Sequence, residues 1–162
     1  MLISPIETPP PTVCVVADTA ERYGAERSLL AAVAYLTECG WSVLVIVPQS
    51  GPLVDDLERL SAKVREFSFH RFSSRQPNVI QDVTTEAEQL AQLMTDEGID
   101  LVYSTTSVVS IGALAAALAD LPHVWHIRES PKAALLPLQT LARFIRDTSN
   151  HVIFNSRSEE HT

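Results

Sequence analysis

The chain has 162 residues, of which 46% are hydrophobic and 20% are charged. This composition is typical of one globular domain that is long enough to bury a core, and it excludes a disordered or fibrous chain. The formal net charge is −8 and no stretch forms a basic stripe, which disfavours nucleic acid as a partner.

The cysteines and the apolar runs indicate the compartment. Cys14 falls in an apolar run and Cys39 ends a helical pattern, so we expect two buried or inert thiols in a reducing compartment rather than a disulfide. Residues 1–12 lack the basic and apolar regions of a signal peptide, and no apolar run is long enough to span a bilayer. The sequence therefore predicts a cytoplasmic protein.

The hydrophobic pattern switches repeatedly between the period of a strand and that of a helix. Residues 1–11 are rich in proline and predict a flexible lead-in before the domain. The predicted elements then follow in chain order: a strand over 13–17, a helix over 25–40, a strand over 42–47, a helix over 52–62, a strand over 64–69, a polar loop over 70–78, a helix over 84–97, a strand over 100–103, a helix over 107–119, a strand over 123–127, a helix over 135–148 and a strand over 151–154.

This alternation predicts an α/β fold in a single domain, a doubly wound, Rossmann-like parallel sheet with helices on both faces. In such a sheet the ligand site lies beyond the carboxyl ends of the strands. The loops that follow the strands are therefore the places to look for function.

The loop after the first strand ends in a glycine next to a helix. Gly24 at that helix N-terminus would let an anion approach free backbone N–H groups, and Tyr23 and Arg27 flank it. We take Tyr23, Gly24 and Arg27 as candidate substrate-binding residues, with a tight-turn glycine as the alternative. The chain has no Gly-x-Gly-x-x-Gly and no Walker lysine, which disfavours dinucleotide and P-loop binding.

The fourth strand ends in a run of hydroxyl side chains. Ser104, Thr105 and Thr106, with Ser107 after them, precede a predicted helix. Capping of that helix is the favoured interpretation. The same hydroxyls are also candidates for hydrogen bonds to sugar hydroxyls or phosphate.

The end of the fifth strand carries a polar cluster. Alternation puts His126 on the face opposite Trp125, near the predicted ligand edge, and Arg128 and Glu129 follow it. A histidine there can hydrogen-bond a substrate hydroxyl, whereas a lone histidine is more often structural. Three polar groups at this edge are costly without a role, so we take His126, Arg128 and Glu129 as candidates.

The remaining histidines predict no chemistry. His70, His123 and His151 are expected to be structural or exposed. No spacing of histidine, cysteine and acidic residues predicts a metal site, and no nucleophile with a partnered base can be identified.

Six segments resemble a known family. In chain order they are YGAERSLL at 23–30, GWSVLVIV at 40–47, GPLVDDL at 51–57, IGALAAA at 111–117, PHVWHIRE at 122–129 and VIFNS at 152–156. In this order and spacing they resemble the N-terminal domain of the retaining GT-B glycosyltransferases of the family 4-like type, over residues 12–156. The predicted domain is then one half of a GT-B fold.

The resemblance implies roles for single residues. Gly24 matches the glycine that approaches the donor diphosphate, and His126 matches the histidine that contacts the transferred sugar, which makes it the candidate catalytic residue. The family's first glycine is replaced by Tyr23, so a side chain stands where the backbone would approach closely. The implied co-substrate is a nucleoside diphosphate sugar, and no cofactor or metal is expected.

The resemblance also implies a second domain that binds most of the donor and carries a Glu-x7-Glu signature. Nothing after Ser156 resembles it, so we expect a truncated chain that is inactive alone. The parent enzyme would transfer a hexose-like unit with retention to a glycan or lipid-linked acceptor of the cell envelope, as a peripheral protein at the inner face of the membrane. Residues 157–162, RSEEHT, resemble a translated sequencing adapter and predict a non-native tail, with an ordinary polar tail as the alternative.

Two other functions compete with this one. A complete, non-catalytic flavodoxin-like domain would bind a ligand or regulate a partner, but a receiver domain needs an acidic cluster at the strand ends, where Asp18 stands alone. A nucleotide-dependent epimerase or another Rossmann enzyme is the second alternative, and the missing glycine fingerprint counts against it.

Overall fold

The computed structural model describes residues 8–22, 26–70, 79–107, 109–128 and 138–154. Within these residues the chain forms six strands and five helices. In chain order they are β1 (Thr12–Val16), α1 (Glu26–Glu38), β2 (Ser42–Val47), α2 (Pro52–Arg59), β3 (Lys63–Glu66), α3 (Val79–Asp96), β4 (Leu101–Ser104), α4 (Ile111–Leu118), β5 (His123–Ile127), α5 (Leu138–Thr148) and β6 (His151–Phe154).

The six strands form one sheet in the order β3-β2-β1-β4-β5-β6, and every neighbouring pair is parallel. The chain steps outward from β1 to β3, returns through α3 to β4, and then steps outward in the other direction to β6. This confirms the predicted doubly wound parallel sheet and the single α/β domain.

One face of the sheet, which we call the first face, is covered by α1 and α2. The core there joins alternate residues of β1 and β2 to one stripe of each helix. Leu29 and Val33 of α1 and Leu53 and Leu57 of α2 are buried, as their spacing predicted.

The opposite face, the second face, is covered by α3, α4 and α5. The inward residues predicted for α3 are buried against the other set of alternating strand residues: Ala87, Leu90, Ala91 and Met94. Trp125 on β5 packs against Leu141 and Ile145 of α5, which completes the core on this side.

Helix α4 begins four residues later than predicted, at Ile111 rather than Ser107. The reason lies in the chain after β4. The backbone N–H of Thr105 and its hydroxyl both donate to the carbonyl oxygen of Val16, at 3.4 and 3.2 Å. These bonds hold the chain against the end of β1. A threonine hydroxyl that bonds a distant backbone carbonyl competes with helix formation, so α4 begins later in the chain. The N-cap of α4 is Ser110, which makes no side-chain capping bond.

Two other elements, α3 and β3, also have bounds that differ clearly from the prediction. Helix α3 begins at Val79 instead of Thr84, because Val83, which is buried, extends the apolar stripe that Ala87 continues. Strand β3 occupies Lys63–Glu66 rather than 64–69, and it is the outermost strand next to β2.

Cys14 and Cys39 are both free thiols, so no disulfide joins them. Burial raises the pKa of the Cys14 thiol to about 12, which makes it inert at neutral pH. Cys39 is exposed after α1, so the expectation of burial holds for Cys14 alone. None of the described helices is both long and apolar enough to cross a bilayer. The predicted tail over 157–162 lies outside the described residues.

Candidate functional site

The topology creates a crevice where β1 and β4 are neighbours in the sheet. Helix α1 follows β1 onto the first face and α4 follows β4 onto the second face, so the two connections diverge at the carboxyl edge. The predicted site residues follow β1 and β4 or lie at the end of β5. The sheet therefore brings to one edge the three connections that the sequence marked as functional.

His126 is half-buried near the carboxyl end of β5, on the first face. Its Nδ1 lies 2.5 Å from the hydroxyl oxygen of Tyr103, and the two rings meet edge to face with centroids 5.9 Å apart. Tyr103 pairs with Val124 in the β4–β5 register, so it is a diagonal neighbour of His126. Trp125 points to the second face, which confirms the predicted alternation.

Arg128 joins the end of β5 to the end of β4. Its Nε donates to the carbonyl oxygen of Thr105 at 2.7 Å, and Thr105 in turn bonds Val16. A series of hydrogen bonds thus links the ends of β5, β4 and β1. The positive charge of Arg128 also acts on Tyr103, where it lowers the phenol pKa but does not overcome the rise that burial causes.

Ser104 points away from the predicted ligand edge. Its side chain is buried on the second face, where its hydroxyl lies 2.8 Å from Nε2 of His123. Helix α4 packs closely against Ser104 at Gly112. A Cβ on Gly112 would come within 2.6 Å of the Ser104 hydroxyl oxygen and 3.0 Å of a Val16 methyl group. The predicted capping of α4 by Ser104 and Thr105 is therefore wrong, since both hydroxyls have other partners.

His123 is neutral and structural. Burial lowers its pKa to about 4, although a bond to the carbonyl oxygen of Thr148 opposes the shift. Because a carbonyl oxygen only accepts, Nδ1 carries the proton and donates at 2.9 Å. Nε2 must then accept from the Ser104 hydroxyl. Of the other histidines expected to be structural or exposed, His70 and His151 are exposed.

The loop after β1 is held against α2. The backbone N–H of Leu53 donates to the carbonyl oxygen of Ala20 at 2.9 Å. A Cβ on Gly51 would lie 2.5 Å from that same oxygen, so only glycine fits. The Arg22 guanidinium makes two bonds to the Asp56 carboxylate, at 2.6 and 2.8 Å, and holds the pKa of that carboxyl below its ordinary value. These contacts hold residues 20–22 against α2.

The predicted residues Tyr23, Gly24 and Glu129 lie outside the described residues. Arg27 is exposed in the first turn of α1. Thr105 and Thr106, which follow the end of β4, are buried. Of the predicted residues that the structure describes, only His126 and Arg128 are joined to the strand ends by their side chains and also partly open to solvent.

Reasoning from the sequence missed two polar residues at this edge. Tyr103 shares a face with His126, and the parity of the two neighbouring strands could have revealed it. Glu26 begins α1 and is 4% exposed, and its Oε2 has no hydrogen-bond partner among the described residues. Its position in the YGAERSLL segment, two residues after Gly24, was the signal in the sequence.

No group of three or more histidine, cysteine, aspartate and glutamate side chains within the described ranges could hold a metal ion. The chemistry available at the edge is that of hydrogen bonding, one imidazole, one guanidinium and the start of a long helix. Such a set suits the binding of a polyhydroxylated or anionic molecule.

The chain belongs to the glycosyl transferase 4-like domain family, which matches residues 23–161. The domain is the Rossmann-like half of a GT-B fold.

Three solved structures illustrate which proteins share this fold. Anabaena Alr3699/HepE, in complex with UDP-glucose, is 21% identical with a TM-score of 0.70, and the match covers 93% of this chain and 39% of that one. Acinetobacter baumannii MurG is 18% identical with a TM-score of 0.68, covering 93% and 42%. A Listeria monocytogenes protein described as a UDP-N-acetylglucosamine 2-epimerase is 12% identical with a TM-score of 0.62, covering 94% and 41%.

The chain therefore spans 39–42% of the length of these structures, which is about two fifths. At these identities the likeness concerns the fold alone. None of the curated proteins is similar enough in sequence to count as a relative.

Proposed function

We propose that this chain is the acceptor-side half of a retaining glycosyltransferase that moves a hexose-like unit from a nucleoside diphosphate sugar to a glycan or lipid-linked acceptor. The observation that carries the proposal is the position of His126. It lies at the carboxyl edge of the sheet, hydrogen-bonded to Tyr103 on the neighbouring strand, in a chain of the glycosyl transferase 4-like family.

The structural neighbours support the choice of co-substrate. Alr3699/HepE was solved with UDP-glucose, and a nucleoside diphosphate sugar offers both the anion and the hydroxyl groups that this edge suits. The neighbours are more than twice as long as this chain, which supports a second domain that closes over the same edge. Closure would hold donor and acceptor in reacting geometry and exclude water.

The reaction replaces one bond at the anomeric carbon. The bond from that carbon to the diphosphate oxygen breaks, and the nucleoside diphosphate leaves with the electron pair. A bond to the acceptor hydroxyl oxygen forms, and the hydroxyl proton is released. The departing diphosphate gains negative charge, which hydrogen-bond donors and a helix N-terminus stabilise.

Within this scheme the described residues have limited tasks. His126 donates a hydrogen bond to a hydroxyl of the transferred sugar, and Arg128 brings positive charge to the same edge. The start of α1, with Gly24 before it, faces the diphosphate. No metal or cofactor takes part in the proposal.

The test uses the whole protein that contains this domain, assayed for release of nucleoside diphosphate from a panel of nucleotide sugars. We expect turnover of at least one donor, and His126→Ala to lower it about 100-fold, the effect of removing a donor that acts in the transition state. His151→Ala is the matched control, because His151 is exposed at the opposite, amino-terminal end of β6. Equal rates for the two variants would contradict the role of His126.

The 162 residues by themselves are proposed to have little or no activity, because they span only 39–42% of the length of HepE and MurG. Turnover of a nucleotide sugar by the purified 162-residue chain would overturn this part of the proposal. The cytoplasmic location and a peripheral association with the inner face of the membrane are proposed with it, on the ground that a lipid-linked acceptor lies there.

An epimerase is the second candidate, because the Listeria structure shares the fold over 94% of this chain. The same assay separates the two. A transferase releases nucleoside diphosphate, because the sugar leaves the nucleotide for an acceptor or for water, whereas an epimerase keeps the sugar on the nucleotide and changes one of its stereocentres. Binding of a nucleotide sugar without either reaction would favour a non-catalytic module.

A further inference from the structure

Tyr103 makes an unusually direct contact with the candidate histidine. The phenol oxygen lies 2.5 Å from Nδ1 of His126, and the ring planes are inclined at 69°. Both residues are on adjacent, hydrogen-bonded strands, so their separation is set by strand pairing rather than by a loop. Tyr103 also packs against the core of the first face, which leaves its ring little freedom.

The chemistry of the two groups determines which one donates. A phenol O–H is a strong donor and a weak acceptor, whereas the unprotonated nitrogen of a neutral imidazole is a good acceptor. Burial raises the pKa of Tyr103, so its proton is retained at neutral pH.

We propose that Tyr103 is a positioning residue that donates its hydroxyl hydrogen bond to Nδ1 of His126 and thereby holds the imidazole as its Nε2–H tautomer. The nitrogen on the other side of the ring is then a donor for a sugar hydroxyl oxygen. This step deepens the proposed function, because it rests on His126 contacting the sugar. The hydroxyl of Tyr103 on β4 thus fixes the tautomer of His126 on β5.

The hydrogen bonds of His126 fix a different tautomer from those of His123, the other histidine of β5. At His123 a backbone carbonyl fixes the proton on Nδ1, so Nε2 accepts. At His126 a hydroxyl donor fixes the opposite tautomer. The two histidines therefore give an internal reference for the same measurement.

The tautomers are read from the ring nitrogen resonances of the ¹⁵N-labelled chain, at about pH 8, where an ordinary histidine is neutral. We expect a protonated-type Nε2 and an unprotonated-type Nδ1 for His126, and the reverse for His123. In Tyr103→Phe the two His126 resonances should move towards each other as the tautomers mix. Tyr35→Phe is the matched control, because Tyr35 is 67% exposed on α1 and the change likewise removes one phenol hydroxyl.

A protonated Nδ1 on His126 in the wild-type chain overturns the proposal, and so does a Tyr103→Phe spectrum in which the His126 resonances do not move. Because phenylalanine keeps the ring, the backbone amide spectrum should show a folded variant. Should it not, Tyr103→Trp, which also lacks the phenol hydroxyl, is measured in the same way.

A kinetic arm uses the whole two-domain protein. Tyr103→Phe should lower kcat about tenfold, the effect of one lost hydrogen bond, and change KM by less than about twofold. In the His126→Ala background it should have no further effect, whereas an additive loss would contradict a role through His126. If the nitrogen spectra agree but His126→Ala turns over normally, the tautomer assignment stands and the proposed function fails.

Discussion

Two histidines on β5, His123 and His126, show how one strand serves two purposes. They stand an odd number of residues apart, so they project from opposite faces of the sheet. His123 is fully buried, and both of its ring nitrogens have partners inside the protein. His126 is half-buried at the edge where ligands are expected. The two histidines thus differ in their position along β5 and in the face of the sheet from which they project. These two properties, rather than the residue type, distinguish the structural histidine from the candidate one.

The largest expected effect is the difference in unfolding free energy between alanine variants of the two histidines. His123→Ala should lower the free energy of unfolding by about 3 kcal/mol, because it leaves a cavity and removes the partner of the buried Ser104 hydroxyl. His126→Ala should cost less than about 1 kcal/mol. Denaturant unfolding of the chain measures both, and equal losses would break the comparison.

The pH dependence of stability should come partly from His123. Its folded-state pKa is about 4, below the ordinary 6.5, because burial penalises the imidazolium. Below pH 6.5 the unfolded chain therefore binds a proton that the folded chain does not, so stability falls as the pH falls and the loss is complete near pH 4. The difference corresponds to about 3 kcal/mol as an upper limit. Unfolding of His123→Gln over the same pH range should lack this component.

A smaller effect should follow from the close approach of α4 to the second face. Gly112→Ala should cost about 2 kcal/mol, because its Cβ would press on the Ser104 hydroxyl and displace it from His123. In a Ser104→Ala background the same change should cost less, since the nearest atom is gone. A double-mutant cycle with Ser104→Ala measures this coupling, and strict additivity would argue against the contact.

The smallest effect concerns a carboxylate at the carboxyl edge. Glu26→Met should raise the free energy of unfolding by about 1 kcal/mol, because it removes a buried charge whose Oε2 has no partner within the described part of the chain. Glu88→Met on the exposed side of α3 is the control and should change stability by less than about 0.5 kcal/mol. A loss of stability in Glu26→Met would show that the carboxylate has a structural partner.

Most of the fold was predictable from the sequence because buried parallel strands read as short apolar runs. The bounds predicted for β2, β5 and β6 match the structure, and those of β1 and β4 differ by one residue at each end. The start of α4 was not predictable, since it depends on a bond between Thr105 and a carbonyl of β1 that is distant in sequence.

The candidate site was predictable only in part. Periodicity located His126 and Arg128 at the end of a strand, and the resemblance to a family supplied a role for His126. What Ser104 would contact could not be read, because its partner His123 comes from the next strand and depends on the register of β4 with β5. Tyr103, by contrast, could have been found from the parity of the two neighbouring strands.

The glycine that opens α2 changes how relatives of this chain should be compared. Gly51 is needed because the carbonyl of Ala20 occupies the space of a side chain, and that contact seats the loop leading to Gly24. Under the proposed function, an invariant glycine at both positions would record two separate constraints, one on donor binding at Gly24 and one on the contact between Gly51 and Ala20. Natural variants that lose Gly51 are expected to carry a compensating change in the loop around Ala20 rather than an altered choice of sugar donor.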